Sequence, residues 1–92
     1  MIVVRITGGL RAYAAEAGEI RLDATATTVG AALELLWTKA PALKDRVLTE
    51  TGQVRRHINV FVGPDPIHPR DGFAAALPEG AEIFLAPAVS GG

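Results

Sequence analysis

The C-terminal residues Pro87 to Gly92 (PAVSGG) offer one group that could do chemistry, the carboxylate of Gly92. Gly91 and Gly92 have no side chains, so this carboxylate could thread a narrow channel in another protein and adopt backbone angles closed to other residues. A carboxylate is inert to nucleophiles until it is activated. Adenylation by ATP would give a mixed anhydride, which a sulfur donor could convert to a thiocarboxylate and a lysine amine to an amide. The alternative is an ordinary frayed end, since glycine is costly to order.

Two other features could mark a metal or phosphate site, but each lacks residues that such a site needs. His57 and His68 are accompanied by no cysteine, and neither lies in an i, i+4 pair with an acid between. Gly8-Gly9 follows a strand-like segment, but no Gly-Lys-Ser/Thr follows and the next long element is not a helix. We therefore expect no metal site and a tight turn at Gly8-Gly9.

The acidic residues and Ser90 do not suggest catalysis either. Glu16, Glu19 and Asp23 are too scattered along a hairpin and loop to form an acid and base pair. Ser90 has no nucleophile-elbow context. No active site assembles from these residues, so we expect that the chain is not a complete enzyme and that it binds no cofactor of its own.

Length and composition predict one globular domain over residues 1–92, with a tail from about residue 88. Hydrophobic residues make up 49% and charged residues 21%, which is typical of a chain that folds alone. The net charge of -1 gives no basic field for nucleic acid or anionic lipid. The absence of cysteine fits a reducing compartment, and residues 1–9 resemble neither a signal peptide nor a membrane span. We expect a cytoplasmic protein that binds no nucleic acid and no membrane.

Strand-like alternation and β-branched residues occur in residues 2–7, 19–23, 57–63 and 82–87. The first two segments could form a hairpin with a long connection between them. Pro87 stops the ladder of the last strand, because proline has no amide hydrogen to donate. Residues 64–73 hold three prolines and a glycine, so only turns and at most a very short strand are expected there.

One long helix is predicted where the apolar period changes at Thr28. The apolar residues that fall at helical spacing after it are Val29, Ala32, Leu33, Leu36, Trp37 and Ala40. Thr27 or Thr28 can cap the start, and Pro41 prevents continuation. After it, residues 43–48 could form a helical turn, followed by a loop at Gly52.

This order of elements predicts an α+β fold in which a first hairpin, a helix and later strands build one mixed sheet of four to five strands. One main helix then packs on one face of the sheet, which describes a β-grasp, or ubiquitin-like, roll. A ferredoxin-like fold is the alternative. It needs a second helix of similar length, for which residues 43–50 are the one candidate.

Phe61 and Phe84 suggest a surface for a partner protein. Alternation along their strands puts both on the face away from the helix, together with Val3. Apolar side chains grouped on an open sheet face favour protein docking. Two alternatives remain at this stage: the register slips by one residue, or the loop over residues 64–80 covers the pair.

A small basic cluster, Arg55-Arg56-His57, precedes the third strand. Such a cluster is either a solvated strand entry or a docking point for an acidic partner.

With these elements in place, the chain resembles the MoaD/ThiS family of ubiquitin-like sulfur carrier proteins. The likeness rests on the order of elements, on Leu10-Arg11 after the first strand, on "INVFVG" at 58–63, on the Gly-Ala-Glu stretch before "IFLAP", and on "AVSGG" at the end. It covers nearly the whole chain, and its most specific part is "PAVSGG". Length and the region between helix and third strand are most similar to CysO-like and MoaD-like members. Gly63-Pro64 departs from an asparagine-containing turn found in many members, which puts only the geometry of that loop in doubt.

The resemblance implies that Gly92 is adenylated and then carries sulfur as a thiocarboxylate, with Gly91, Ser90 and Val89 recognised as the tail. It implies a ubiquitin-activating-type adenylating enzyme (MoeB/ThiF-like) that uses ATP. It also implies a sulfur-accepting enzyme such as a cysteine synthase, a thiazole synthase-like enzyme or the large subunit of molybdopterin synthase.

Three hypotheses follow. The first is a sulfur carrier, the second is a small subunit of molybdopterin synthase, and the third is an interaction module or lysine-conjugating modifier. Neither the acceptor of the sulfur nor the oligomeric state is given by the residues.

Overall fold

The computed structural model describes residues 1–14, 18–67 and 72–87 of the chain. The strands are β1 (Ile2–Ile6), β2 (Glu19–Leu22), β3 (Ile58–Val62), β4 (Asp65–Pro66) and β5 (Glu82–Pro87). The helices are α1 (Val29–Lys39), α2 (Pro41–Val47) and two 3₁₀ helices, at Gly8–Ala14 and Gly72–Ala74. The predicted strands are confirmed to within one residue at each end, and β4 is the very short strand expected between residues 64 and 73.

The strands form one mixed sheet in the order β2-β1-β5-β3-β4. The first and last strands, β1 and β5, pair in parallel at its centre, and the other neighbours pair antiparallel. The sheet with α1 across one face is the predicted β-grasp roll. α2 has seven residues against eleven in α1, which is too short for the second helix of the ferredoxin-like alternative.

The sequence of α1 determines both of its ends. Thr28 is the N-cap, and its hydroxyl oxygen accepts a hydrogen bond from the Ala31 amide at 3.2 Å. The Ala40 amide closes the last turn on the Leu36 carbonyl at 2.7 Å, and Pro41 then begins α2. The buried stripe is the predicted one from Val29 to Trp37, while Ala40 lies just beyond the helix and is half-buried.

The connection after β1 differs from the prediction of a tight turn. Gly8 does take a positive φ of 63°, but it begins a seven-residue 3₁₀ helix rather than closing a turn. Leu10 and Ala14 of this helix are buried in the core. Their burial accounts for the helix, because a helical turn brings both apolar side chains to the core side of the connection.

The core lies between α1 and the face of the sheet that it covers. Its fully buried side chains include Ile6, Leu33, Leu36, Leu43, Ile83 and Leu85. The opposite face of the sheet, called the open face below, carries the alternate residues of each strand. Within the described ranges, no helix has the length and apolar character needed to cross a membrane.

Candidate functional site

The predicted reactive residue, Gly92, lies outside the described residues, as do Val89, Ser90 and Gly91. Glu16 and His68 do so too. The last described residue is Pro87, at the end of β5. The site can therefore be described from the point where the tail begins.

The tail begins at what we call the tail end of the sheet, where β1 and β5 end and β2 and β3 begin. Pro87 lies opposite Ile58 of β3. On the other side, the Thr7 amide donates to the Leu85 carbonyl at 3.1 Å. A Cβ added at Gly8 would lie 3.0 Å from Pro87 Cγ, so glycine permits this close approach. Neighbours on both sides thus hold the strand from which the tail continues.

The aromatic pair lies on the open face, as predicted. Phe61 of β3 and Phe84 of β5 are directly opposite each other, and Pro66 of β4 lies opposite Phe61 on the other side. Both phenylalanines are half-buried, whereas Ile83 and Leu85 beside Phe84 are fully buried on the core side. The register is therefore the predicted one, and the alternative of a one-residue slip is wrong. Val3 shares this face but pairs with Glu82 and Arg21, away from the aromatic pair.

Ion pairs occupy the β1–β2 side of the open face. Arg5, which lies opposite Phe84, donates to both carboxylate oxygens of Glu82 at 2.9 and 3.1 Å and contacts Glu19 at 3.0 Å. Arg21 Nε lies 2.7 Å from Glu19 Oε2. The hydrogen bond from Arg5 lowers the pKa of Glu82, and that from Arg21, with help from the Arg5 charge, lowers the pKa of Glu19. The hydrogen bond and charge of Glu82, and to a lesser extent those of Glu19, raise the pKa of Arg5. These charges satisfy one another, and the aromatic pair forms the apolar surface on the β3–β5 side of the face.

The basic residues predicted for docking lie at the tail end. Arg55 is half-buried, and its Nε donates to the Asp45 carbonyl of α2 at 2.9 Å. Its amide also donates to the Val47 carbonyl at 2.8 Å. Arg56 and His57 are exposed. The structure therefore places Arg55 and Arg56 near the origin of the tail, and Phe61 and Phe84 on the adjoining open face.

A further cationic contact near the tail end escaped prediction. Arg46 of α2 stacks on the ring of Tyr13 in the first 3₁₀ helix, with its guanidinium carbon 4.4 Å from the ring centroid. The two residues are far apart in sequence. Tyr13 belongs to a 3₁₀ helix that was not predicted, and Arg46 belongs to α2, which was predicted as a helical turn over residues 43–48. No motif around Tyr13 or Arg46 in the sequence indicates that the two side chains meet.

Metal ligands do not cluster in residues 1–14, 18–67 and 72–87. These ranges contain no group of three or more histidine, cysteine, aspartate or glutamate side chains placed to hold an ion. The site is thus a surface of apolar, cationic and backbone groups around the start of the tail.

Two kinds of known protein are similar to this chain. Small archaeal modifier protein 1 of Haloferax volcanii is 42% identical over 78 residues, which cover 79% of this chain and 80% of that protein. A crystal structure of that protein matches with a TM-score of 0.81 at 32% identity, covering 99% of this chain and 98% of the other. The sulfur carrier protein CysO of Mycobacterium tuberculosis is 26% identical over 77 residues, with 82% of this chain and 83% of that protein covered.

A solved complex is also similar. The crystal structure of the BexX/CysO complex of Amycolatopsis orientalis contains a chain that matches with a TM-score of 0.84 at 25% identity, and 100% of both chains is covered. No family model matches the chain. The similar sequences are small carriers and modifiers rather than enzymes.

Proposed function

Because this chain belongs to the MoaD/ThiS family of ubiquitin-like proteins, we propose that it is a sulfur carrier whose Gly92 is adenylated and converted to a thiocarboxylate. The observation that carries the proposal is the position of Pro87. β5 pairs with β1 as far as Leu85 and with β3 as far as Pro87, and the sequence AVSGG follows it. The tail therefore starts at a fixed point on the folded body.

The length of the tail limits what the rest of the chain can do in the reaction. Five residues span at most about 17 Å beyond Pro87. The carboxylate can therefore enter a partner's active site while the folded body stays at the entrance. The catalytic groups are then the partner's, and the chain acts as a protein co-substrate without a bound cofactor.

The chemistry has two steps. An oxygen of the Gly92 carboxylate attacks the α-phosphorus of ATP, and pyrophosphate leaves, which gives an acyl adenylate. A sulfide equivalent then attacks the acyl carbon, and AMP leaves as the thiocarboxylate forms. Gly91, Ser90 and Val89 serve as the part of the tail that the enzyme recognises, because the absence of a side chain at Gly91 permits close approach of both backbones.

Partner proteins contact the folded body at two places in this proposal. Phe61 and Phe84 supply an apolar surface that an adenylating enzyme of the MoeB/ThiF type covers. Arg55 and Arg56 contact acidic residues around the channel that receives the tail. The adenylating enzyme consumes ATP, which is consistent with a reaction in the cytoplasm.

The sulfur then passes to a second enzyme. A cysteine synthase, a thiazole synthase-like enzyme and the large subunit of molybdopterin synthase are the candidate acceptors. The name of the CysO relative of M. tuberculosis, and the solved complex of a CysO with BexX from Amycolatopsis orientalis, support a carrier that works with a separate partner. A permanent complex with a large subunit, formed on purification from the native source, would favour the molybdopterin synthase alternative instead.

A second function uses the same activated carboxylate. The relative at 42% identity is named a modifier, which favours transfer of Gly92 to a lysine amine of another protein. The acyl carbon then forms an amide, and AMP or sulfide leaves in place of sulfur transfer. The two functions differ in the product, so one experiment can separate them.

The test is the intact mass of the purified protein after incubation with ATP, a sulfide source and a MoeB/ThiF-type enzyme shown to load another carrier. A mass increase equal to the replacement of one oxygen by sulfur is expected for the full chain and not for a chain that lacks Gly92. Lysine-linked conjugates in a cell lysate without this mass increase would favour the modifier. The mass of the untreated protein from its own source verifies that Gly92 carries a free carboxylate.

A further inference from the structure

A groove at the outer edge of β3 is lined by neither Phe61 nor Phe84, and it includes Arg55 and Arg56, which lie near the start of the tail. Its volume is about 670 Å³, which falls within the range of about 300–1,000 Å³ typical of ligand sites. Residues 52–56, which precede β3, line one part of it. Ile58, Asn59 and Val60 of β3 and the side chains of Pro66, Ile67 and Phe73 line the rest.

The groove combines apolar walls with a cationic rim. Val54, Ile67 and Phe73 are half-buried apolar residues that pack against the core cluster and line the groove. Arg55 and Arg56 also line it, and neither forms an ion pair in the part of the chain that the structure describes. The hydrogen bond of Arg55 Nε to the Asp45 carbonyl holds its side chain, and among the described residues no carboxylate pairs with its terminal nitrogens. Two uncompensated guanidinium groups favour an anionic ligand, and above all a carboxylate.

Two backbone groups of β3 are available at this groove, the Ile58 carbonyl and the Val60 amide, because the Ile58 amide donates to the Arg55 carbonyl at 3.0 Å and the Val60 carbonyl accepts from Ile67. The Gly63 amide donates to the Glu82 carbonyl at 2.8 Å, so by alternation the backbone groups of Ile58 and Val60 point away from β5. The Ile67 amide donates to the Val60 carbonyl at 2.9 Å. Beyond this bond, toward Ile58, no described residue forms a strand against β3. An edge of this kind can accept the backbone of an added strand.

We propose that the groove binds an extended, acidic peptide segment of a partner protein. The segment adds to the edge of β3 beside Asn59 and forms backbone hydrogen bonds there. It places an apolar side chain between Val54 and Ile67, and it places a carboxylate on Arg55 and Arg56. Backbone pairing supplies affinity in this mode, while the apolar wall and the arginines select the sequence. The site requires no activated carboxylate, so it goes beyond the sulfur-carrier function.

The test is selection of random peptides displayed on phage against the immobilised full chain, followed by affinity measurement with the best synthetic peptide. The expected consensus has aspartate or glutamate near one large apolar residue. Arg56→Glu should weaken binding by about tenfold or more, because it replaces a charge-assisted hydrogen bond with repulsion. Lys44→Glu, the same change of charge at an exposed position outside the groove, should leave the affinity nearly unchanged.

Amide chemical shifts measured with the same peptide locate the contact. Changes at Ile58, Val60 and Ile67 are expected. Failure to select any peptide, a consensus without acids, equal binding by the Arg56→Glu variant, or changes centred on Phe61 and Phe84 would each overturn the proposal. Arg56 is exposed, so the variant should melt like the wild type and remain a valid test. No activating enzyme takes part, and failure here therefore leaves the thiocarboxylate proposal standing.

Discussion

The two faces of the sheet differ in burial. One face packs against α1 in the core, and the other is the open face that we propose binds partner proteins. Toward α1, Val4, Ile83 and Leu85 are completely buried. On the open face, Phe84 lies between two of these residues in the same strand yet is half-buried. One strand thus serves both purposes by alternation. Substitutions on the buried face should change stability, and those on the open face or in the tail should change binding or activation.

Deletion of Gly92 should have the largest effect of all the changes. It should abolish activation of the tail and leave the stability of the fold unchanged. It removes the carboxylate at the required distance from Pro87, so ATP-dependent adenylation should be abolished. The melting temperature should stay the same, since chain ends make few stabilising contacts. Pyrophosphate release and thermal melting measure the two quantities. A large fall in melting temperature would mean that the tail belongs to the folded structure, and adenylation that survives would remove Gly92 from its proposed role.

Trp37→Ala should have the largest effect on stability. Trp37 is only 6% exposed and lies on the buried stripe of α1. Its truncation should lower the free energy of unfolding by about 3–5 kcal/mol. Leu35→Ala on the exposed face of the same helix is the matched control, with a loss well below that. Urea unfolding measures both, and equal losses would contradict the assignment of the buried face.

Phe84→Ser should weaken partner binding more than it weakens folding. The aromatic pair is proposed as an anchor for the adenylating enzyme, and loss of such an anchor typically weakens binding about tenfold or more. Only part of the side chain is buried, so the fall in stability should be smaller than for Trp37→Ala. Titration with the enzyme and a melting curve measure the two effects. Unchanged binding with a large loss of stability would assign Phe84 to the fold instead.

Gly30→Ala tests whether close packing at Gly30 outweighs the higher helix propensity of alanine in its effect on the free energy of unfolding. Gly30 is in the first turn of α1, where alanine would normally stabilise the helix by about 1 kcal/mol. A Cβ there would lie 2.8 Å from Phe73 Cβ and 3.1 Å from the Phe73 carbonyl oxygen, which forces the second 3₁₀ helix away. We expect a net loss of about 1–2 kcal/mol in unfolding free energy. Gly9→Ala is the control, because no described residue outside the local chain lies within 4 Å of the added Cβ, and a stabilised Gly30→Ala would contradict this packing.

The sequence predicted most reliably what depends on local pattern. The stripe of α1, the four long strands and the placement of Phe61 and Phe84 all follow from period and alternation, which the burial of one face enforces. The 3₁₀ helix at Gly8–Ala14 was missed because it has only two buried residues, Leu10 and Ala14, which do not form a recognisable periodic pattern. The groove beside β3 could not be foreseen, since it joins residues 52–60 to Ile67 and Phe73 only through the sheet register and the packing of the loop. The parallel pairing of β1 with β5 likewise depends on the whole topology.

Loss of the ion pairs on the open face should have the smallest effect on stability, and that effect should decrease as the pH falls. The Arg5 hydrogen bond lowers the pKa of Glu82 in the folded state. A lowered folded pKa means that the stabilisation is present above the ordinary glutamate pKa, about 4.3, and is lost as pH falls through the folded value. Arg5→Gln should therefore melt slightly below the wild type at neutral pH and low salt. The difference should shrink on acidification, because the carboxylates become protonated, and on addition of salt, because the side chains are partly exposed to solvent. A difference that persisted in acid would show that Arg5 acts by packing its stem beside Phe84, which would move this residue from the ion pairs to the aromatic surface.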